Sequence, residues 1–564
     1  MSAAQKKSLG ESLVEEGIIT SEQLKRAQAE EKRLGLRLRK VLVRLELIEE
    51  EDLVAFLSSK FKLPRIELNN YLIDPQIINL VPEELAREYE LIPVLKVAER
   101  ITCAMLDPWN IFALDEIRLR TNLTVEVAVA TETEIKKAID EYYGAKGSME
   151  DLVKLIGEDA ISVGKEEEMD VEKLQDIGGK PVLIKIVNLI LLEAAREGAS
   201  DIHIEPEKDA LRIRIRVDGV LREIPSLPKH LQSLIVSRIK IMSDLDIAER
   251  RRAQDGRFTV NTMGREIDVR VSTLPTVHGE NVVLRFLDIS SALIGFTNMG
   301  FSKEVLAGYR KLITRPHGII LVTGPSGSGK STTLYASLNE INSVEKNIIT
   351  IEDPIEYKLE GIRQTQVNPK VDLTFANGLR SILRQDPDVI MVGEMRDGET
   401  ARIAIQAALT GHLVFSTLHT NDAPGAITRM IDMGIEPFLV SSSVIGVLAQ
   451  RLIRIICPDC KKKYKPREGE LTGIGLDPAV QTEFYKGEGC DKCKNTGYKG
   501  RIGIYELMVP NNAIRDMVLR RASSEEIRKE ALLQGMISLK ADGIRKVQRG
   551  LTTVEEVLRV AEEG

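Results

Sequence analysis

A chain of 564 residues is too long for a single hydrophobic core, so three or four domains are expected. Hydrophobic residues at 43% and charged residues at 29% describe soluble globular domains, while a net charge of −7 and only 4% aromatics disfavour a nucleic-acid surface. No apolar run reaches the roughly 18 residues that span a bilayer; residues 181–195 come nearest but are broken by Lys185, Asn188 and Glu193, and Met1–Gly10 lacks a signal-peptide core. The chain is read as cytoplasmic, with any membrane work done through partners.

Residues 1–60 are helical in pattern and weakly repetitive: Gly17–Leu24 recurs as Glu46–Leu53, with Leu13 matched by Leu42 upstream. Thr20 or Ser21 is the expected helix N-cap, since its oxygen can accept orphan backbone N–H groups. Residues 64–144 alternate strands (Ile101–Met105, Val125–Ala130) with helices (Ile111–Arg120, Glu132–Tyr143), a small α/β unit. Residues 1–145 form the expected N-terminal regulatory or docking domain. Residues 146–178 form an expected flexible acidic linker; between Glu150 and Asp176 ten acidic residues face three lysines.

Residues 179–289 form an expected α+β domain. An amphipathic helix, Pro181–Arg196, precedes Leu211–Val217, whose strict apolar/basic alternation is that of a half-buried strand with one positive face. Asp218-Gly219 signals a hairpin into Val220–Ile224, and strands follow at Arg257–Thr262, Glu266–Ser272 and Asn281–Leu287. The basic face reads equally as a solvated edge or as a phosphate-contacting surface. A linker, 290–300, leads into residues 301–564, where strands at Ile319–Val322, Asn347–Ile351, Val389–Val392 and Leu413–Thr417 alternate with helices. Such alternation implies an open, mostly parallel sheet with a ligand at the strand C-terminal ends.

The chemistry starts at Gly324-Pro325-Ser326-Gly327-Ser328-Gly329-Lys330-Ser331-Thr332, a full phosphate-loop pattern between a buried strand and a helix. Glycines let backbone N–H groups converge on an anion, and the helix N-terminus adds its positive dipole end. Lys330 is expected to reach the β/γ-phosphates of ATP and Ser331 to ligate Mg²⁺. Glu352, Asp353 and Glu356 follow one strand end, and Glu394 ends the buried run Val389–Val392 as a Walker B carboxylate. Phosphoryl transfer needs Mg²⁺ and a group that orients the attacking water. Glu394 is therefore assigned to metal and water positioning and Glu356 to the general base, with Glu352 and Asp353 beside the nucleotide. His419 is expected to sense the γ-phosphate, whereas His412 is read as structural. Cys457, Cys460, Cys490 and Cys493 form two CxxC pairs 29 residues apart, a set suited to a closed, structural Zn²⁺ site.

Together these residues resemble the type II/IV secretion ATPase superfamily, in the branch of pilus-assembly (PilB-like) and type II secretion (GspE-like) motors, over nearly the whole chain. Glu352–Glu356 resembles that family's Asp box, Gly393–Asp397 its Walker B and Thr410–His419 its His box. Ala199–Pro206 and Arg250–Arg257 resemble signatures of its second N-terminal domain. The resemblance implies a RecA-like ATPase domain with a Zn-binding subdomain at 455–500 and C-terminal helices, and a PAS-like α+β domain supplying arginines, here Arg270 and Arg285, to the active site. It further implies a homohexamer whose domain rotation is passed to an inner-membrane platform protein and cytoplasmic ring components, placing the chain peripherally at that membrane. The cysteine insertion and long N-terminal region are typical of assembly and secretion motors rather than retraction motors. A type IV pilus motor is the first expectation and a type II secretion motor the second; a nucleic-acid translocase and a nucleotide-gated scaffold rank lower. The first 145 residues resemble a domain that binds cyclic di-GMP in some relatives, but Ser8 stands where an arginine is expected, and Arg39 and Glu46 where the second repeat would carry glycines. These departures rank cyclic di-GMP behind a docking role.

Overall fold

The computed structural model describes residues 9–143, 181–288, 295–466, 471 and 483–561. The acidic linker, residues 290–294 of the second linker and Ser8 lie outside the described residues. The chain divides into two compact units, Met1–Ile289 and Ser290–Gly564.

The first unit opens with helices Leu9–Glu15, Ser21–Leu34, Leu38–Arg44 and Glu50–Phe61. Thr20 is the cap: its hydroxyl accepts from Gln23 N at 3.2 Å, and the Gln23 side chain accepts from Thr20 N at 2.7 Å. The repeat is real in space. Leu13 and Leu42 are both fully buried, and Gly17 (φ +73°) and Glu46 (φ +53°) make the same left-handed turn. Glu46 thus holds a backbone conformation that glycine adopts without cost.

Strand β1 (Tyr71–Leu72) is followed by β2 (Leu91–Val97), β3 (Arg100–Met105) and β4 (Thr124–Val129). Strands β2-β3-β4 form a small sheet against helix Glu132–Tyr143, but β1 pairs instead in parallel with a later strand, Tyr71 opposite Asn261. The remaining strands are β5 (Asp201–Pro206), β6 (Ala210–Val217), β7 (Val220–Pro228), β8 (Gln254–Thr262), β9 (Arg265–Thr276) and β10 (Gly279–Asp288), in the order β1-β8-β9-β10-β5-β6-β7. Leu211, Ile213 and Ile215 enter a core with helices Pro181–Arg196 and Gln232–Met242, so Arg212, Arg214 and Arg216 lie on the opposite face.

The second unit holds β11 (Gly318–Thr323), β12 (Ile348–Glu352), β13 (Arg363–Gln366), β14 (Val389–Val392), β15 (Leu413–Leu418), β16 (Val444–Ile456), β17 (Lys461–Tyr464), β18 (Phe484–Gly487) and β19 (Tyr498–Met508). The main sheet runs β13-β12-β14-β15-β11-β16-β19, all parallel except β19. Its central strands are buried on both faces, as parallel strands covered by helices must be. Parallel packing puts the ends of β11, β12, β14 and β15 on one edge, where the phosphate-loop, Asp-box, Walker B and His-box residues meet. Strands β16 and β19 were not among the elements expected from sequence. Among the described residues no helix is long and apolar enough to cross a membrane.

Candidate functional site

The phosphate loop turns out of β11 through three residues of positive φ: Gly324 (+152°), Gly327 (+76°) and Gly329 (+88°). A Cβ on Gly324 would lie 2.5 Å from the Gln450 carbonyl oxygen and 2.6 Å from Ser328 Oγ, so the turn excludes side chains there. Helix Lys330–Ile341 starts at once, its first turn carrying Lys330, the exposed Ser331 and Thr332. The Lys330 ammonium donates to the carbonyls of Gly324 (2.8 Å) and Pro325 (3.0 Å). Burial pushes its pKa down to about 8; Glu394 acts against that shift and Arg451 with it.

Glu394 follows β14, which is anchored to its neighbours: Gly393 N donates to Ile351 O at 2.8 Å and the Thr417 hydroxyl to Gly393 O at 2.8 Å. The Glu394 carboxylate pairs with Arg396 and lies 3.2 Å from His419 Nε2. His419, expected to sense the γ-phosphate, lies beside the Glu394 carboxylate at the neighbouring strand end. His412 Nδ1 donates to Ala407 O at 2.8 Å, a structural bond.

Glu352 is buried at 4% exposure at the end of β12 and accepts from Thr350 Oγ1 (2.5 Å), Gln364 Nε2 (3.1 Å) and the Tyr335 hydroxyl. Tyr335 OH in turn accepts from Glu356 N at 3.2 Å. Tyr335, on the helix that the phosphate loop opens, thus ties Glu352 and Glu356 to that loop. Burial first, then the charge of Glu352, raises its hydroxyl pKa, which keeps it a donor. Sequence reading missed Tyr335; its spacing, one helical turn past Ser331, was the available signal. Asp353 is exposed, and the bond to Pro354 is cis.

Ser331 and Glu394 offer the hard hydroxyl and carboxylate oxygens that suit Mg²⁺, and the glycine-lined loop with Lys330 suits a triphosphate.

In the first unit, register aligns Arg257, Arg270 and Arg285 side by side across β8, β9 and β10, and then Asp201 and Arg216 across β5 and β6. Arg285 Nε donates to Asp201 at 3.0 Å, Arg216 lies 3.7 Å from the same carboxylate, and Arg270 lies 3.9 Å from Asp268. The solvent-facing sheet surface is therefore a row of four arginines with one aspartate in it.

The four cysteines converge from the β16 end, the loop before β19 and the β17–β18 ribbon. Their sulfurs lie within 4.8 Å of one another, with Cys457–Cys490 at 3.9 Å, Cys460–Cys493 at 3.8 Å and Cys490–Cys493 at 3.7 Å. Tetrahedral Zn–S bonds of about 2.3 Å place sulfurs about 3.8 Å apart, so the donor set fits Zn²⁺ and leaves no open position. Against burial, backbone N–H groups of Cys490 (3.2 Å) and Gly497 (3.3 Å) hold the Cys493 thiol below its ordinary range, favouring the thiolate a metal needs. In the N-terminal helices, Arg39 is buried at 7% exposure, bonded to Leu106 O and paired with Asp107, so the position expected to carry a glycine holds an internally neutralised side chain.

The model of the family described as "Type II/IV secretion system protein" matches residues 176–559, and that of the "MshEN domain" matches residues 61–149. The chain is 46% identical over 555 residues, covering 98% of both chains, to "Type IV pilus assembly ATPase PilB" of Myxococcus xanthus. It is 55% identical over 394 residues, 70% of this chain and 78% of the other, to "Type II secretion system protein E" of Pseudomonas aeruginosa. Among solved structures, the Legionella pneumophila ATPase DotB aligns with a TM-score of 0.51 at 20% identity, over 68% of this chain and 96% of that one, a likeness of fold.

Proposed function

The chain belongs to the type II/IV secretion system protein family and is an ATPase of its type IV pilus and type II secretion group, and from that premise we propose that it is the motor that powers pilus extension. The observation that carries ATP hydrolysis in this reading is the convergence of Lys330, Glu394 with His419, and Glu356 on one edge of the parallel sheet. In this mechanism the loop amides and Lys330 hold the β/γ-phosphates. Ser331 and Glu394 would hold Mg²⁺, which when bound would supply charge neutralisation at the phosphates. Glu356 takes the proton of the attacking water, and His419 holds the Glu394 carboxylate in place. Asp353, exposed beside Glu352, faces the nucleotide.

The arginine row supplies the remaining positive charge. Arg270 and Arg285 contact the phosphates of a nucleotide in a homohexamer, so that turnover moves the α+β domain against the ATPase domain. An inner-membrane platform protein and cytoplasmic ring components receive that motion, and the N-terminal domain docks there; cyclic di-GMP is a secondary ligand of that domain. Support for extension comes from the likeness along 98% of the chain to a pilus assembly ATPase. A type II secretion motor is the second reading, favoured by the 55% identity to a type II secretion protein. Deleting the gene separates them: loss of surface pili supports the first, and loss of exoprotein secretion with pili intact supports the second.

A further inference from the structure

We propose that Gln450 is a positioning residue of the phosphate loop, holding from a neighbouring strand the peptide that must turn its carbonyl away from the bound phosphates. The inference rests on the ATPase reading and adds to it a residue outside the nucleotide-binding motifs. Strand β16 runs parallel to β11, with the last register pair at Thr323 and Ala449. There β11 ends and the phosphate loop begins, so Gln450 is the first residue of β16 to run alongside the loop rather than the strand. Its side chain is fully enclosed, at 1% exposure.

Two hydrogen bonds fix it. Gln450 Nε2 donates to the Ser328 carbonyl at 2.7 Å, and Gln450 Oε1 accepts from Thr333 Oγ1 at 2.7 Å. The orientation is forced by chemistry. Ser328 O can only accept, so it must face the amide nitrogen, and the Thr333 hydroxyl then meets the amide oxygen. Thr333, itself fully buried in the first turn of the following helix, locks the amide in that sense.

The consequence follows from peptide geometry. A planar trans peptide points its C=O and the next N–H in opposite directions, so holding Ser328 O against β16 aims the Gly329 N–H away from it. An anion cradle needs its amides presented and its carbonyls averted, because a carbonyl oxygen turned toward a phosphate repels it. The same residue limits the loop at its other end. Its backbone carbonyl is the group a Cβ on Gly324 would strike, and its Nε2 lies 3.2 Å from where a Cβ on Gly329 would sit. Gln450 therefore bonds to the loop beside its last glycine and leaves no room for a side chain at its first.

The test separates ground-state binding from chemistry. Gln450→Glu keeps the shape but replaces the donor to Ser328 O with an oxygen that repels it, and Gln450→Ala removes both bonds. Losing a buried hydrogen bond of this kind is expected to raise KM for ATP by roughly tenfold or more in each variant, with kcat at saturation within about threefold of wild type. A residue that only fills the core would lower the unfolding temperature and leave KM where it was; that result overturns the proposal. If neither variant folds, Thr333→Val carries the test, since it frees the amide while keeping the volume. A KM rise of about threefold is then expected, and an unchanged KM overturns the proposal. Absence of ATP hydrolysis by the unmodified protein would instead contradict the ATPase reading itself, so the two failures are distinguishable.

Discussion

Arg285 lies directly across the antiparallel ladder from Arg270, with Arg257 next in the same row. Like charges opposite one another destabilise a sheet. Asp201 and Asp268 offset part of that cost, the first at 3.0 Å from Arg285 and the second at 3.9 Å from Arg270. Among the described residues Arg257 has no ion pair. A row that keeps such a cost is suited to an anion brought by another group.

Replacing Arg270 or Arg285 by alanine is therefore expected to lower ATPase activity at least about tenfold in protein that still folds. Mixing Arg285→Ala chains with Lys330→Ala chains should restore part of the turnover, since each supplies what the other lacks. Mixed samples no more active than either variant alone would contradict a shared site.

The depressed ammonium of Lys330 gives a pH signature. Its pKa of about 8 lies below the ordinary lysine value because burial disfavours the charge. The charged form that holds a triphosphate is nearly complete a unit or more below its pKa of about 8 and is lost as pH rises through it. Affinity for a non-hydrolysable ATP analogue should be flat at pH well below that value and fall by up to about tenfold per pH unit above it. Lys330→Arg, which stays charged, should remove that fall. An affinity independent of pH up to 9.5 would contradict the placement of Lys330.

Tyr335→Phe removes one hydroxyl that serves two carboxylate-bearing residues. It withdraws a donor from buried Glu352 and an acceptor from Glu356 N. A stability loss of about 1–3 kcal/mol by denaturant unfolding is expected, with a fall in kcat larger than any change in KM. Unchanged stability together with unchanged kcat would refute the tie.

The cysteine cluster predicts one equivalent of zinc per chain by metal analysis. Cys460→Ser should lose that zinc and destabilise the region of β17, β18 and the ends of β16 and β19, while ATP-analogue binding persists. Full zinc content in that variant would contradict the four-sulfur site.

What could be read from the chain follows the range of the forces involved. The phosphate loop, Glu394 and the four cysteines are legible because their chemistry is written in short spacings. Strands β3, β4, β6 to β12, β14 and β15 are legible because burial on one or both faces imposes a local period, whereas β13 has no buried residue to mark it. Strand β1 is two residues long and joins β8 across 190 residues of sequence, which no local pattern records. Strands β16 and β19 pair with each other and carry the first and last cysteines' supports, yet glycines and charges interrupt their apolar pattern. Gln450 and Tyr335 act through bonds to residues 122 and 17 positions away, so only the folded sheet brings them to the site. His419 was assigned by motif, but its partnership with Glu394 depends on β14 and β15 lying side by side.

The most direct test of the central claim is steady-state ATP hydrolysis with Mg²⁺ by the purified protein and by its Lys330→Ala and Glu394→Ala variants, each checked for native circular dichroism. Removing either charge from the transition state is expected to lower turnover at least about 100-fold. Near-normal turnover in either folded variant would contradict the site.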